Sequence, residues 1–257
     1  MNTTLNISTY KFVPLPDAPA LREQIHSLAQ GLGLKGTVLL AHEGINLFVA
    51  GAPQQVRSFV AALRSDARLS DLMPKESWSD AQPFKRLRVK LKREIIRMNQ
   101  PQVLPDFSAA AGRAPVVDAP TLKRWLDQGH DDAGRPVVTL DTRNAFEVDC
   151  GSFEQAIDWR LSKFSDFPQA LREHQAQLQG KTVVSFCTGG IRCEKAAIYM
   201  QQSGLGQVYQ LDGGILKYFE QVGGAHFRGH CFVFDERVAL DPALSATASV
   251  HSAAVQA

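Results

Sequence analysis

Three short apolar runs constrain the second half of the chain more than any other feature. Val137 to Leu140, Thr182 to Phe186 and Val208 to Leu211 read as buried strands. Between and around them lie segments with helical character: Thr121 to Gln128, Phe164 to Leu178, Cys193 to Ser203 and Ile215 to Val222. Strands that alternate with helices predict a parallel sheet with helices packed on its faces. In open sheets of this kind ligands bind at the carboxyl ends of the strands. The middle run ends directly at Cys187.

The residues that follow are Cys187, Thr188, Gly189, Gly190, Ile191 and Arg192. A strand, a glycine-containing turn and a helix in succession aim backbone N–H groups at one point, and the helix start adds the positive end of a dipole. Adjacent glycines allow the bend, and Arg192 adds a full positive charge. An anion on Cys187 is therefore favoured, which predicts a thiol pKa below the free value of about 8.5 and a nucleophile at neutral pH. Cys193 lies just beyond. It either resolves a disulfide or passes sulfur from Cys187, or it is a packed small residue. Cys150 and Cys231, the remaining cysteines, read as structural thiols. No C-x-x-C pair occurs, which argues against a zinc ribbon or a thioredoxin-type site.

The first hundred residues predict a different unit. Ala18 to Gln30 suits a helix, Gly36 to Ala41 and Ile45 to Ala50 two strands, and Pro53 opens a helix through Arg64. A long strand is expected from Phe84 to about Met98, with one more at Ile7 to Val13. This order fits a ferredoxin-like α+β sandwich. The chain then divides as 1–100, a linker over 101–116 rich in Pro, Ala and Gly, an α/β domain over 117–238, and a disordered tail over 239–257.

A net charge of +2 hides a local excess: seven basic residues and one acid, Glu94, lie between Lys85 and Arg97. Arg86, Arg88, Lys90 and Lys92 alternate with Leu87, Val89 and Leu91, so a strand here presents a cationic row on one face and packs the other. The row is either a solvated, aggregation-resistant edge or a polyanion site, for which RNA is the natural ligand. Phe84 and Trp78 offer rings for stacking on bases, though core packing suits them better. Glu43 and Asn46, in the turn between two apolar strands, either shape a hairpin or contact a nucleotide.

The Cys187 loop resembles that of the rhodanese family, whose domains carry a persulfide-forming cysteine in this setting. Leu140-Asp141-Thr142-Arg143-Asn144-Ala145-Phe146-Glu147-Val148 resembles the family's strand-end Asp-x-Arg followed by a glutamate, and Gly151 to Ile157 resembles its next step. The resemblance implies structural roles for Asp141 and Arg143. The loop is one residue shorter than the tyrosine-phosphatase loop it also resembles, which suits a small group on sulfur better than phosphate.

A wider combination is more specific. Glu43-Gly44-Ile45-Asn46, the basic segment ending Lys92-Arg93-Glu94-Ile95-Ile96, Asp141-Thr142-Arg143-Asn144, and Cys187 through Lys195 are together similar to the bacterial tRNA uridine hydroxylases, over roughly Lys35 to Asp235. That resemblance implies a ferredoxin-like (acylphosphatase-like) α+β domain followed by a rhodanese-like parallel-sheet α/β domain. It implies formation of 5-hydroxyuridine at the wobble position of tRNA, with molecular oxygen as co-substrate and Cys187 as the active residue. The expected partner is tRNA rather than DNA. The chain carries no metal or flavin motif, and neither the electron donor nor the oligomeric state is legible. The residues by themselves reach only a thiolate enzyme with a polyanion-binding domain. A rhodanese-type sulfurtransferase working through a Cys187 persulfide is the alternative, and it leaves the basic strand unexplained. A non-enzymatic RNA-binding module is a third reading, weakened by Cys187 and Arg192. No apolar run approaches the roughly 20 residues that span a bilayer, and Met1 to Asn6 lacks a signal-peptide pattern, which predicts a cytoplasmic protein.

Overall fold

The structure, a computed structural model, describes residues 3–106 and 112–247. The chain divides into two compact units, Met1–Arg97 and Met98–Ala257.

The first unit runs β1 (Thr4–Phe12), α1 (Ala18–Gly31), β2 (Lys35–Ala41), β3 (Gly44–Gly51), α2 (Pro53–Arg64), β4 (Lys75–Ser79) and β5 (Leu87–Leu91). The sheet order is β4-β1-β3-β2-β5. The first four strands pair antiparallel and form the expected ferredoxin-like sandwich, whereas β5 pairs parallel with β2. Apolar residues at helical spacing explain the layers. Leu21, Ile25 and Ala29 of α1 and Val56, Phe59, Val60 and Leu63 of α2 are buried in one core with Leu5, Ile7, Val38, Leu40, Ile45, Leu47 and Val49 of the sheet.

The structure departs from the sequence expectation at two strands. The strand β4 was not anticipated, because Lys75-Glu76-Ser77-Trp78-Ser79 has a single large apolar residue. The basic strand is therefore a fifth strand added at the far edge, and it spans five residues instead of reaching Met98. Its partner β2 ends at Ala41, and the last rung is the Lys92 N–H donating to the Leu40 carbonyl at 2.8 Å. Beyond it the chain folds back, burying Ile95 and Met98.

The second unit runs β6 (Val116–Val117), α3 (Ala119–Gln128), β7 (Val137–Asp141), α4 (Ala145–Val148), β8 (Gly151–Phe153), β9 (Ile157–Asp158), α5 (Phe167–His174), β10 (Thr182–Phe186), α6 (Ile191–Gln202), β11 (Val208–Leu211), α7 (Gly214–Val222), β12 (Phe227–Gly229), β13 (Cys231–Phe232) and β14 (Ala239–Leu240). The main sheet, β6-β11-β10-β7-β9, is parallel throughout, as the alternation predicted. Helix α3 packs with α7, and α5 with α6. Asp118 caps α3 by accepting from the Thr121 N–H at 2.8 Å. Every residue of β10 is buried, which is why that run is uninterrupted rather than alternating.

Val116, placed in the linker by sequence, is the first residue of β6. The tail also needs correction. Ala239 and Leu240 are buried and pair antiparallel with Cys231 and Phe232, so order extends past Val238. The rest of the expected tail, 248–257, lies outside the described residues, as does part of the linker, 107–111. No helix among the described residues is long and apolar enough to cross a membrane.

Phe59 is wholly buried between α2 and the first sheet. Phe59→Ala is expected to destabilise that unit by about 3–5 kcal/mol, read as a drop in the urea midpoint at unchanged slope.

Candidate active site and basic edge strand

Cys187 stands at the carboxyl end of the central strand β10, opposite the end of β7, where Phe186 pairs with Asp141. Helix α6 begins at Ile191, two residues earlier than the sequence suggested. Arg192 is therefore on the helix's first turn, and the loop proper is Thr188 to Gly190. Gly190 sits at the N-cap with φ +100°, a left-handed conformation that L side chains rarely adopt, and this bend turns the first amides of the helix back toward the sulfur. The Gly190 N–H donates to Cys187 Sγ at 3.1 Å.

A second helix start completes the cradle. The carbonyls of Cys187 and Thr188 accept from the N–H groups of Ile215 (2.9 Å) and Leu216 (3.2 Å) in the first turn of α7. With its carbonyls pinned outward, the loop keeps its amides facing the sulfur. This approach requires Gly214: it has φ +68°, and a Cβ there would lie 2.4 Å from the Cys187 carbonyl oxygen. The sequence reading missed this residue. The signal was the Gly213-Gly214 pair immediately before an apolar helix.

Cys187 is fully buried. Burial alone would push its thiol up, but a hydrogen bond from the Cys193 thiol, the charge of Arg192, and the amides of Arg192 and Gly190 together bring it well below its ordinary value. Cys193, also buried, moves the opposite way, raised by burial and by the adjacent Cys187 thiolate. Its sulfur lies 3.7 Å from Thr142 Oγ1. Cys150 is raised by burial, and Cys231 is pushed up to about 12 for the same reason. One of the four thiols is thus favoured as an anion near neutral pH.

Arg192 is buried and gripped by both oxygens of Glu147, at 2.5 and 2.8 Å. Glu147 has no solvent exposure. Burial pushes its carboxyl up, yet the charge of Arg192 and further partners hold it below the usual carboxylate value. It also accepts from the Asn144 N–H (3.0 Å) and the Thr188 hydroxyl (3.4 Å). By sequence Glu147 appears only as the glutamate after the Asp-x-Arg segment, with no role of its own. Its signal was the Asn144-x-x-Glu147 spacing, the capping-box pattern that opens α4. Asp141 and Arg143 form a wholly buried pair (2.9 and 2.6 Å), and Arg143 also donates to the Gly151 carbonyl at 2.6 Å. These contacts match the bracing role that the resemblance implied. Among the described residues no three His, Cys, Asp or Glu side chains are grouped to hold a metal ion.

In the first unit, Lys85, Arg86, Arg88, Lys90, Lys92, Arg93 and Arg97 are all exposed. Arg86 and Lys92 flank β5 instead of lying within it. Val89 packs inward as expected, but Leu91 is 47% exposed. The outer edge of β5 is partly covered, since Arg22 Nε donates to the Val89 carbonyl at 3.1 Å. Glu43 and Asn46 hold the returning chain: the Glu43 carboxylate accepts from the Ile95 N–H (2.7 Å), and the buried Asn46 amide donates to the Ile95 carbonyl (3.2 Å). Asn46 is thereby withdrawn from the surface, and the expectation that it presents its amide to a nucleotide is corrected. Trp78 pairs with Leu5 on the helix-covered side, away from the cations.

A parallel sheet whose central strand delivers a cradled thiolate defines a rhodanese-like domain, here carried behind an acylphosphatase-like one. The family models for these two parts, "UPF0176 acylphosphatase like domain" and "Rhodanese-like domain", match residues 4–95 and 118–221. Proteins named "tRNA uridine(34) hydroxylase" are similar along nearly the whole chain. The one from Variovorax paradoxus is 66% identical and covers 98% of this chain and 95% of its own. The one from Delftia acidovorans is 63% identical (96% and 92%), and that from Bordetella avium 63% (93% and 98%). Among solved structures, a rhodanese-like domain from Anabaena is 19% identical, covers 45% of this chain and 79% of its own, and has a TM-score of 0.37. The chain belongs to the tRNA uridine(34) hydroxylase family.

The thiol directions give a pH prediction. Between the lowered Cys187 pKa and the ordinary one, the folded chain holds thiolate where the unfolded chain holds thiol, so stability rises with pH across that window. Below the folded pKa the contribution is gone. Ultraviolet thiolate absorbance of the native protein is expected to persist at neutral pH and vanish only on acidification. It is absent from Cys187→Ser, and it titrates at higher pH in Cys193→Ala, which lacks the donating thiol.

Proposed function

We propose that this chain hydroxylates uridine 34 of tRNA at C5, with Cys187 as the reactive group and the cations around β5 as contacts for the RNA backbone. The observation that carries the reading is a buried sulfur favoured as a thiolate by the Gly190 N–H and Arg192, in a chain 66% identical to a tRNA uridine(34) hydroxylase. A thiolate in this setting suits addition to C6 of the uracil ring. The C5–C6 electron pair then moves onto C5 as an enolate, which takes an oxygen atom from molecular oxygen. Loss of the C5 proton and departure of the sulfur restore the ring and the thiolate. The second oxygen atom leaves as water, taking two electrons and two protons from an external reductant of the dithiol or reduced-nicotinamide class. In this reading Glu147 and Asp141 are positioning residues: they hold Arg192 and Arg143, and through them the loop. Cys193 supplies a hydrogen bond to the reactive sulfur.

The test is nucleoside mass spectrometry of tRNA from cells lacking the protein, and of tRNA incubated with purified protein under isotopically labelled oxygen gas. The expected product is 5-hydroxyuridine carrying the label. Label arriving from water would overturn the oxygenase reading, and full-rate hydroxylation by Cys187→Ser would overturn the nucleophile. Cyanolysable sulfur on Cys187 without any hydroxyuridine would favour sulfur transfer instead. Lys90→Glu combined with Lys92→Glu is expected to weaken tRNA binding and to flatten its salt dependence, by about 0.7 in log–log slope for each phosphate no longer neutralised. The melting temperature stays unchanged.

A further inference from the structure

The cationic side of the first sheet also carries aromatic rings that a backbone contact does not use. Directly paired residues on neighbouring strands project to the same face. Thr37 pairs with Arg88 on one side and Phe48 on the other, Phe48 pairs with Ser8, and Ser8 with Lys75. One rung along, Lys90 pairs with Leu39, Leu39 with Asn46, and Asn46 with Tyr10. Arg88 and Lys90 on the edge strand therefore share a face with Phe48 and Tyr10 on the middle strands. The opposite face, with Val89, Val38, Leu47 and Ile7, packs into the helical core.

This face is covered near its ends and partly accessible between them. At one end the Asn46 amide is tied to Ile95, and at the other Gln82 Nε2 donates to the Ala50 carbonyl at 2.9 Å. On the next rung Ser8, Thr37 and Phe48 are half-buried, and so are Tyr10 and Leu39 on either side of Asn46. Lys75 borders the far side, its Nζ 5.8 Å from the Tyr10 ring centroid. On the near side Arg86, Arg88, Lys90 and Lys92 are exposed, and none forms an ion pair with a carboxylate among the described residues.

We propose that this face is a stacking platform for unpaired bases of the tRNA anticodon loop, which lie on Phe48 and Tyr10 while Arg88 and Lys90 hold the adjoining phosphates. The inference rests on the tRNA reading above and deepens it. A row of cations by itself attracts any polyanion. Rings set beside it select bases whose faces are uncovered, because a duplex hides its base faces in its own stack. Tyr10 and Phe48 are diagonal neighbours across β1 and β3, about 7–8 Å apart at the backbone, so successive bases can each meet one ring.

Fluorescence anisotropy with an anticodon stem-loop RNA, and with a blunt duplex of matched composition, tests this on the full chain. Phe48→Leu and Tyr10→Leu are each expected to weaken stem-loop binding about 5- to 150-fold, with duplex affinity and the salt slope unchanged. Phe48→Trp and Tyr10→Phe keep binding, and the indole fluorescence of Phe48→Trp is quenched by the stem-loop. Leucine variants that bind the stem-loop as tightly as the wild type overturn the platform. So does equal loss for both RNAs, or an indole left unquenched. Hydroxyuridine formation by the wild type is scored alongside: its absence refutes the hydroxylase reading, while the binding comparison still judges the platform.

Discussion

Arg192 stands, almost wholly buried, between the Glu147 carboxylate and the Cys187 sulfur, and the second unit is organised around that fact. Its guanidinium is held by both oxygens of Glu147, and its charge acts on the sulfur of Cys187. Desolvating such groups is costly, and an unmatched buried charge typically costs about 3–5 kcal/mol. The arrangement stands because each partner is met from several directions. The sulfur receives the Gly190 N–H, and the carboxylate receives an amide and a hydroxyl besides the arginine. Helix α7 holds the loop's carbonyls from behind, so the amides that stabilise the thiolate do not have to be reoriented when the anion forms.

That network is anchored one layer further out. The Asp141–Arg143 pair ties the end of β7 to the Gly151 carbonyl, and Ser152 donates to the same aspartate at 2.7 Å. Arg143 also donates to the Glu147 carbonyl at 3.4 Å, which places the short helix α4 that carries Glu147. A strand-end motif thus sets a helix, the helix sets a carboxylate, the carboxylate sets an arginine, and the arginine favours the thiolate. The first unit does a different job with a simpler device. Its sandwich leaves one sheet face only partly covered, an extra edge strand lines that face with cations, and the returning segment held by Glu43 and Asn46 covers one end of it.

The alternation of strands and helices, the Cys187 loop, the sandwich and the basic segment were all legible in the residues, because each is written in local spacing. The pairing partners were not. Lys75 to Ser79 has too little apolar content to announce a strand, and it becomes one only because β1 offers an open edge beside it. The basic segment has the pattern of a long strand, but its length is capped by that of β2. Glu43 does lie in the turn between β2 and β3, but its side chain and that of Asn46 also satisfy the peptide of Ile95, far along the chain.

By itself the sequence determined that a thiol would sit at the tip of a buried strand, in a glycine turn before a helix, in a chain that also carries a row of cations. Those features depend on neighbours in sequence, and local geometry is enough to specify them. Only the tertiary structure decided how the anion is sustained: that Glu147 grips Arg192, that Cys193 donates to the sulfur, and that Gly214 lets α7 approach the loop. It alone also set Phe48 and Tyr10 on the same face as Arg88 and Lys90. These interactions join residues tens of positions apart, and their partners are chosen by packing and desolvation, which no local pattern encodes.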